Sequence, residues 1–178
     1  MLPALVLTVF SWSASAQQPV ASEYDVKAAI VFKIAKFVSW PEQAFTDNSE
    51  PLAVCVHKDD PLAEALRSLN GKPIKGRVFS VRYLNGQKFE PNYCQILLIA
   101  DNYSDSEIEI IDSISDQPVL TIVDHDRPVS RPGIIGLQIK KNHVQFDIDV
   151  GASESAGLDI SAQLLQLAVI TNGQGENR

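Results

Sequence analysis

The sequence has little of what builds metal centres and thiol chemistry: of 178 residues, two are cysteine and three are histidine. No C-x-x-C pair occurs, so the close ligand spacing of a zinc site is missing. Neither G-x-G-x-x-G nor G-x-S-x-G is present, which removes the sequence signs of a dinucleotide fold and of a nucleophile elbow. Positive charge is sparse as well. Fifteen Lys and Arg stand against 22 Asp and Glu, a net charge of −7, and the basic residues are scattered singly. Phosphate binding needs them clustered, so nucleic acid is excluded as a partner. The same acidity repels anionic lipid, and no segment after the first dozen residues approaches the roughly 20 apolar residues of a membrane span. Contact with a membrane has to run through a protein partner.

What is present suits one soluble domain. Apolar residues make up 45% and charged ones 21%, in a chain long enough for a full core. The N-terminus differs from the rest. Leu2 to Trp12 is apolar and uncharged, and Ser13-Ala14-Ser15-Ala16 follows with the small-x-small pattern of a signal peptidase site. Residues 1–16 therefore read as a signal peptide cut after Ala16, although only the α-amino group supplies its positive charge. A buried N-terminal helix fits less well, because of Pro3 and the Ser-rich end. Residues 17–22 form a polar leader, 23–170 one domain, and 171–178 a disordered tail.

Within the domain, Ser22 and Asp25 resemble a capping box for a helix that runs to Pro41, with Val31, Ile34, Ala35 and Val38 on its core face. Lys27, Lys33 and Lys36 read as solvated. "LAVCVHK" is an apolar strand, and Asp60-Pro61 opens a short helix to Leu69. "RVFSVRYL" alternates like a strand, while "QILLIA" and "PVLTIVD" are apolar throughout, as strands covered on both faces are. Ser104 and Glu107 form a capping box at the start of a helix that runs to Ser115. Ile134–Lys140 and His143–Asp149 flank Lys141-Asn142 as a hairpin, with Gly136 opposite Asp147 and Gln138 opposite Gln145. "ISAQLLQLAVI" reads as a final amphipathic helix. The alternation implies a Rossmann-like α/β fold, mostly parallel with helices on both faces, strand order 2-1-3-4 and a C-terminal antiparallel hairpin at one edge.

That order makes the first and third strands neighbours, and they carry Cys55 and Cys94. An exported chain with two cysteines on adjacent strands favours a structural disulfide. A catalytic thiol would need a base, but His57 shares the strand of Cys55 and no orienting acid is evident. Two separate buried thiols are the plainer alternative.

The succession "EYDVKAAIVFKIAKFVSWP", "LAVCVHKDDPLAEAL", "LNGKPIKGRVFSVRYL", "CQILLIA", "QPVLTIVD" and "GIIGLQIKKNHVQFDIDVGASESAGLDISAQLLQLA" resembles the YfiR family of periplasmic proteins from Glu23 to Ala168. The helix running into Trp40-Pro41 and the closing I-S-x-x-L-L-x-L-A carry most of the resemblance. It implies an α/β fold, a tendency to homodimerise, and repression of a membrane-bound diguanylate cyclase through the periplasmic sensor domain of that enzyme. It further implies release by a peptidoglycan-associated outer-membrane lipoprotein. Cys55 and Cys94 match the positions of a family disulfide. The second cysteine pair of some members, around Pro128 to Gly136, is missing here, so redox gating of that loop does not carry over.

Asp124-His125-Asp126 follows the fourth strand, at the carboxyl edge where α/β folds bind ligands, and Asp101 ends the third on the same edge. Asp101, Asp124 and His125 thus form a candidate small-ligand site, with a solvated loop entry as the plainer reading. Three consecutive side chains cannot all face one ion, so no metal is expected. "GASESAG" lacks the Lys-Ser/Thr of a phosphate loop, and His143 reads as a solvent-facing strand residue. Nothing assembles into nucleophile, base and oxyanion hole, so no enzyme and no cofactor are expected. Ile134 and Asp147, on the outer face of the hairpin, form the candidate partner interface, because a hairpin edge offers unpaired backbone groups.

If Ala16 precedes the cleavage site, the mature chain starts at Gln17 and accumulates in the periplasmic fraction. Intact-mass measurement checks this. A cytoplasmic pool that keeps Met1 would remove the argument for export.

Overall fold

Helix α1, Glu23–Phe37, starts where the capping box places it. In the computed structural model, which describes residues 22–84, 89, 93–99, 105–124, 133–140 and 143–171, Asp25 N donates to Ser22 Oγ at 3.2 Å and Ser22 N donates to Asp25 Oδ2 at 3.0 Å. Two orphan donors of the first turn are thereby satisfied. Ala28, Val31, Ile34 and Ala35 face the core. The helix ends at Phe37, short of the expected Pro41, because Trp40 precedes proline and is pushed toward extended backbone. Val38–Ser39 instead forms a short strand, β1, and a single 3₁₀ turn, Glu42–Ala44, follows. The proposed signal peptide (1–16), nearly all of the leader (17–22) and residues 172–178 lie outside the described residues.

The chain then alternates. Strand β2, Leu52–His57, leads through helix α2, Pro61–Arg67, to the hairpin of β3, Pro73–Ile74, and β4, Arg77–Leu84. Lys75 and Gly76 both adopt positive φ (49° and 76°), the backbone of a tight hairpin turn. Strand β5, Ile96–Ile99, passes through helix α3, Asp105–Ser113, to β6, Leu120–Asp124. Strands β7, Ile135–Lys140, and β8, His143–Asp149, precede helix α4, Val150–Ser155, and β9, Asp159–Ile160, which pairs antiparallel with β1. Helix α5, Ala162–Leu165, and strand β10, Val169–Thr171, close the described chain.

The main sheet has the order β10-β8-β7-β6-β5-β2-β4-β3. Its centre is parallel, β4-β2-β5-β6-β7, and the first four long strands stand second-first-third-fourth in chain order. β7 and β8 run antiparallel with Gly136 opposite Asp147 and Gln138 opposite Gln145; the Lys141-Asn142 connection lies outside the described residues. Because β2 crosses to β4 in one direction and β5 to β6 in the other, right-handed crossovers put α2 and α3 on opposite faces. α1 and α2 pack on one face over Leu52, Val54, Ile96 and Ile122, and α3 covers the other through Ile111 and Ile114.

Three expectations fail at the C-terminus. The run "ISAQLLQLAVI" is not one helix: α5 ends at Leu165, and Val169–Thr171 pairs in parallel with β8. Thr171, assigned above to the tail, belongs to that strand. β-branched Val169, Ile170 and Thr171 pack poorly in a helix and well on a pleated edge. The hairpin is therefore not the rim of the sheet, since β10 lies along it.

Cys55, in the middle of β2, is bonded to Cys94, two residues before β5, with Cα atoms 5.8 Å apart. Both are buried beneath α3 with Leu97 and Val123. Closing a loop across 39 residues contributes about 4 kcal/mol in the chain-entropy description. Cys55→Ser should lower the melting temperature of the oxidised protein by several degrees and leave Cys94 reactive to thiol reagents on unfolding. Peptide mapping without reduction decides the matter: alkylation of both thiols in the native chain would show that the bridge does not form.

Candidate functional site

The carboxyl ends of β2 and β5 are where the chain departs in opposite directions, the place at which open α/β sheets leave a crevice. Asp124 ends β6 on that edge. Its Oδ2 accepts from Lys27 Nζ of α1 at 2.9 Å, and Glu23, one turn earlier on α1, takes the same ammonium at 2.7 Å. Lys27, read above as solvated, is only 4% exposed. The reason is visible in the spacing: position 27 stands four residues before Val31, on the same stripe as Ile34 and Ala35, so its stem is carried into the core. Burial by itself pulls the ammonium pKa down, but the bonds to Asp124 and Glu23 outweigh it and the net shift is upward. The ammonium therefore remains charged through neutral pH, and its bond to Asp124 ties the start of α1 to the end of β6.

Asp60 caps α2 on the same edge, its Oδ1 accepting from Leu62 N at 2.8 Å. Burial raises its carboxyl pKa, against the cap bond and the nearby His57 and Lys27, which lower it. Of the three residues of the ligand reading, only Asp124 is placed, and it is engaged by Lys27. Asp101 and His125 lie outside the described residues. Among the described residues no group of three or more His, Cys, Asp and Glu has the arrangement of a metal site.

The hairpin residues are not what the alternation suggested. Ile134 is 4% exposed, not an apolar residue on an open face, because both sheet faces are covered. Asp147 is half-buried on β8, opposite Gly136 of β7 and in register with Val169 of β10. The exposed apolar rim has passed to Leu167, Val169 and Ile170. Gly151 to Ser155 lies within helix α4, whose cap is Asp149, Oδ1 accepting from Ala152 N at 2.9 Å.

Sequence reasoning missed a cleft at the amino edge, opposite the Asp124 end of the sheet. It has a volume of about 280 Å³ and lies between the end of α3, the starts of β6 and β7, and α4. Ile114, Val119 and Ile134 form its apolar walls, and Asp112 and Asp116 stand among its lining residues. Gly133, at φ +100°, closes it tightly: a Cβ there would lie 3.1 Å from both Thr121 Oγ1 and Val123 Cγ2. Ile134 N donates to that Thr121 hydroxyl at 2.8 Å. The glycine was a visible signal; the convergence of three elements on it was not.

Two substitutions test the carboxyl edge. Lys27→Met removes the ammonium bonded to partly buried Asp124 and should destabilise by about 3 kcal/mol in urea unfolding, while adding Asp124→Leu should recover part of the loss. For Asp60 the sign is set by its raised pKa: the folded state favours the protonated carboxyl, so its ionisation at neutral pH costs stability that returns as pH falls through the folded value. Asp60→Asn keeps a cap and should melt at or above the wild type at pH 7, with the difference shrinking toward acid. Asp60→Ala should lose about 1 kcal/mol at neutral pH through the missing cap bond, and the loss should grow toward acid as the wild-type carboxyl regains its favoured neutral form. Thermal melts across pH 3–7 check both.

With the geometry in place, comparison with known proteins is informative at the family level. No curated protein matches the chain. The family model DUF4154, described as YfiR/HmsC-like, matches residues 24–169, a span that begins at the second residue of α1, includes the disulfide and reaches the first residue of β10. The chain belongs to the YfiR/HmsC-like family.

Proposed function

We propose that the chain is a periplasmic regulatory protein that represses a membrane-bound diguanylate cyclase by binding the periplasmic sensor domain of that enzyme. The observation that carries this reading is the family match across residues 24–169, since the family is regulatory, not catalytic. The apparent signal peptide and the Cys55–Cys94 bridge fit an oxidising compartment. No described helix is long and apolar enough to cross a membrane, so the regulator reaches the bilayer through its partner. A homodimer is the working assembly, and a peptidoglycan-associated outer-membrane lipoprotein relieves repression by sequestering it.

A second reading is a periplasmic small-ligand module. It is favoured by the divergence of the chain at the carboxyl ends of β2 and β5, with Asp101, Asp124 and His125 as its candidate residues. The two readings combine if a ligand there sets affinity for the enzyme.

Surface plasmon resonance with the mature protein and the periplasmic domain of a diguanylate cyclase from the same genome tests the first reading. Saturable binding is expected, together with a rise in cellular cyclic-di-GMP on deletion of the gene. Deletion that leaves cyclic-di-GMP unchanged, with no binding to any such domain of the genome, would overturn it.

A further inference from the structure

The main sheet has two rims, and they are built differently. At one, β3 is only Pro73–Ile74, with Lys72 before it and Lys75 after it. Proline has no amide hydrogen to offer, and short length and lysine are further means by which sheets keep other chains off their edges. At the other rim stands β10, Val169–Thr171, with neither proline nor charge. Among the described residues no strand pairs with its outer side. All three of its residues are exposed, Val169 to 62% and Ile170 to 46%, and Leu167 just before them to 74%. An apolar edge without such guards is a template for another strand.

The core shows what that strand would add. Leu98 of β5, Ile122 of β6, Ile135 of β7, Ile148 of β8 and Ile170 of β10 stand in register, one row across five strands. The first four are buried in the core beneath α1, and Ile170 alone meets water. The next position of the row calls for an apolar residue on the same face. An antiparallel pair of β10 strands about a twofold axis supplies it, with Ile170 of one copy opposite Ile170 of the other and Val169 opposite Thr171. Charge favours the same occupant. Each copy carries a net charge of −7, so two copies meet with least repulsion where neither is charged. From Ile160 to Gly175 the chain has no charged side chain, its longest such run after Ser22.

We propose that β10 is the contact through which two copies of this chain join, their sheets continuing as one across antiparallel β10 strands. This names the interface of the homodimer in the reading above and rests on that part of it. Sedimentation velocity of the mature chain over a range of concentrations should show a monomer–dimer equilibrium. Ile170→Lys takes two apolar side chains out of the contact and sets like charges together, and should weaken the dimer by at least about tenfold. Ile170 is half-exposed in the single chain, so the fold should persist, with circular dichroism as the check. Ile170→Cys tests the geometry by a gain: mild oxidation should link two copies through the new thiol, whereas Lys72→Cys on the blunted rim should not cross-link. A wild type that stays monomeric at every concentration, a dimer that Ile170→Lys leaves at full strength, or equal cross-linking at both rims would each overturn the proposal. A monomeric wild type that loses the cyclase sensor domain on Ile170→Lys would assign the edge to the cyclase, and would equally overturn it. Sensor-domain binding is read separately by surface plasmon resonance, so its absence counts against the regulatory reading and leaves the interface. A wild-type monomer that binds the sensor domain removes the interface and leaves that reading.

Discussion

Five hydrogen bonds converge on Gln95, and the packing of the chain is organised around them. Its amide nitrogen donates to Ala53 O and its side-chain oxygen accepts from Ala53 N, both at 2.9 Å. Its carbonyl accepts from Leu120 N at 2.9 Å and from the Trp40 indole at 3.1 Å, while its side-chain nitrogen donates to Ala44 O at 2.9 Å. One residue thereby joins β2, β5, the start of β6 and the segment that follows α1. An amide buried to 1% exposure is costly unless satisfied, and here every polar atom of it is used. The same bonds give a structural reason for the Trp40-Pro41 pair: proline ends the helical path and the indole fastens the turn to the sheet.

Register follows from this contact. With Ala53 held by Gln95, Val54 stands opposite Ile96 and Cys55 opposite Leu97. A slip of one residue would turn the cysteine to the α1–α2 face and bring Val54 under α3. The disulfide therefore locks a register that the hydrogen bonds have already chosen. Arg82 strengthens the same corner, its guanidinium over the Tyr93 ring at 4.6 Å and bonded to the Tyr93 carbonyl. At the other end of the sheet, Lys27 and Asp124 join residues 97 apart in sequence. One end is held by amide and disulfide, the other by charge.

How much of this could be read in the chain depends on the range of the interactions. The α1 stripe, the Ser22–Asp25 box, the Asp60 cap and the β7–β8 register follow from residues a few positions apart. Lys27 was legible too, since it stands four positions before Val31, but a charged side chain on an apolar stripe reads as an exception until Asp124 is seen beneath it. Gln95 gave no such sign. A glutamine before "ILLIA" looks like a strand boundary, and only the approach of Trp40, Ala44 and Ala53 makes it central. Val169 and Ile170 were misread because their helical spacing continues that of α5, whereas pairing along β8 decided their conformation.

The sequence by itself determined the class of the fold and the positions of most elements, because periodicity, caps and strand alternation are local. The tertiary structure decided which polar groups are buried, where the sheet ends and where a cleft opens. Those outcomes depend on distant segments meeting: an ion pair between α1 and β6, a parallel strand added to β8, and α3, β7 and α4 converging on Gly133. Chain-local chemistry carries no term for such meetings, so a buried lysine, an edge strand and an acidic cleft appear only when the sheet has closed around Gln95.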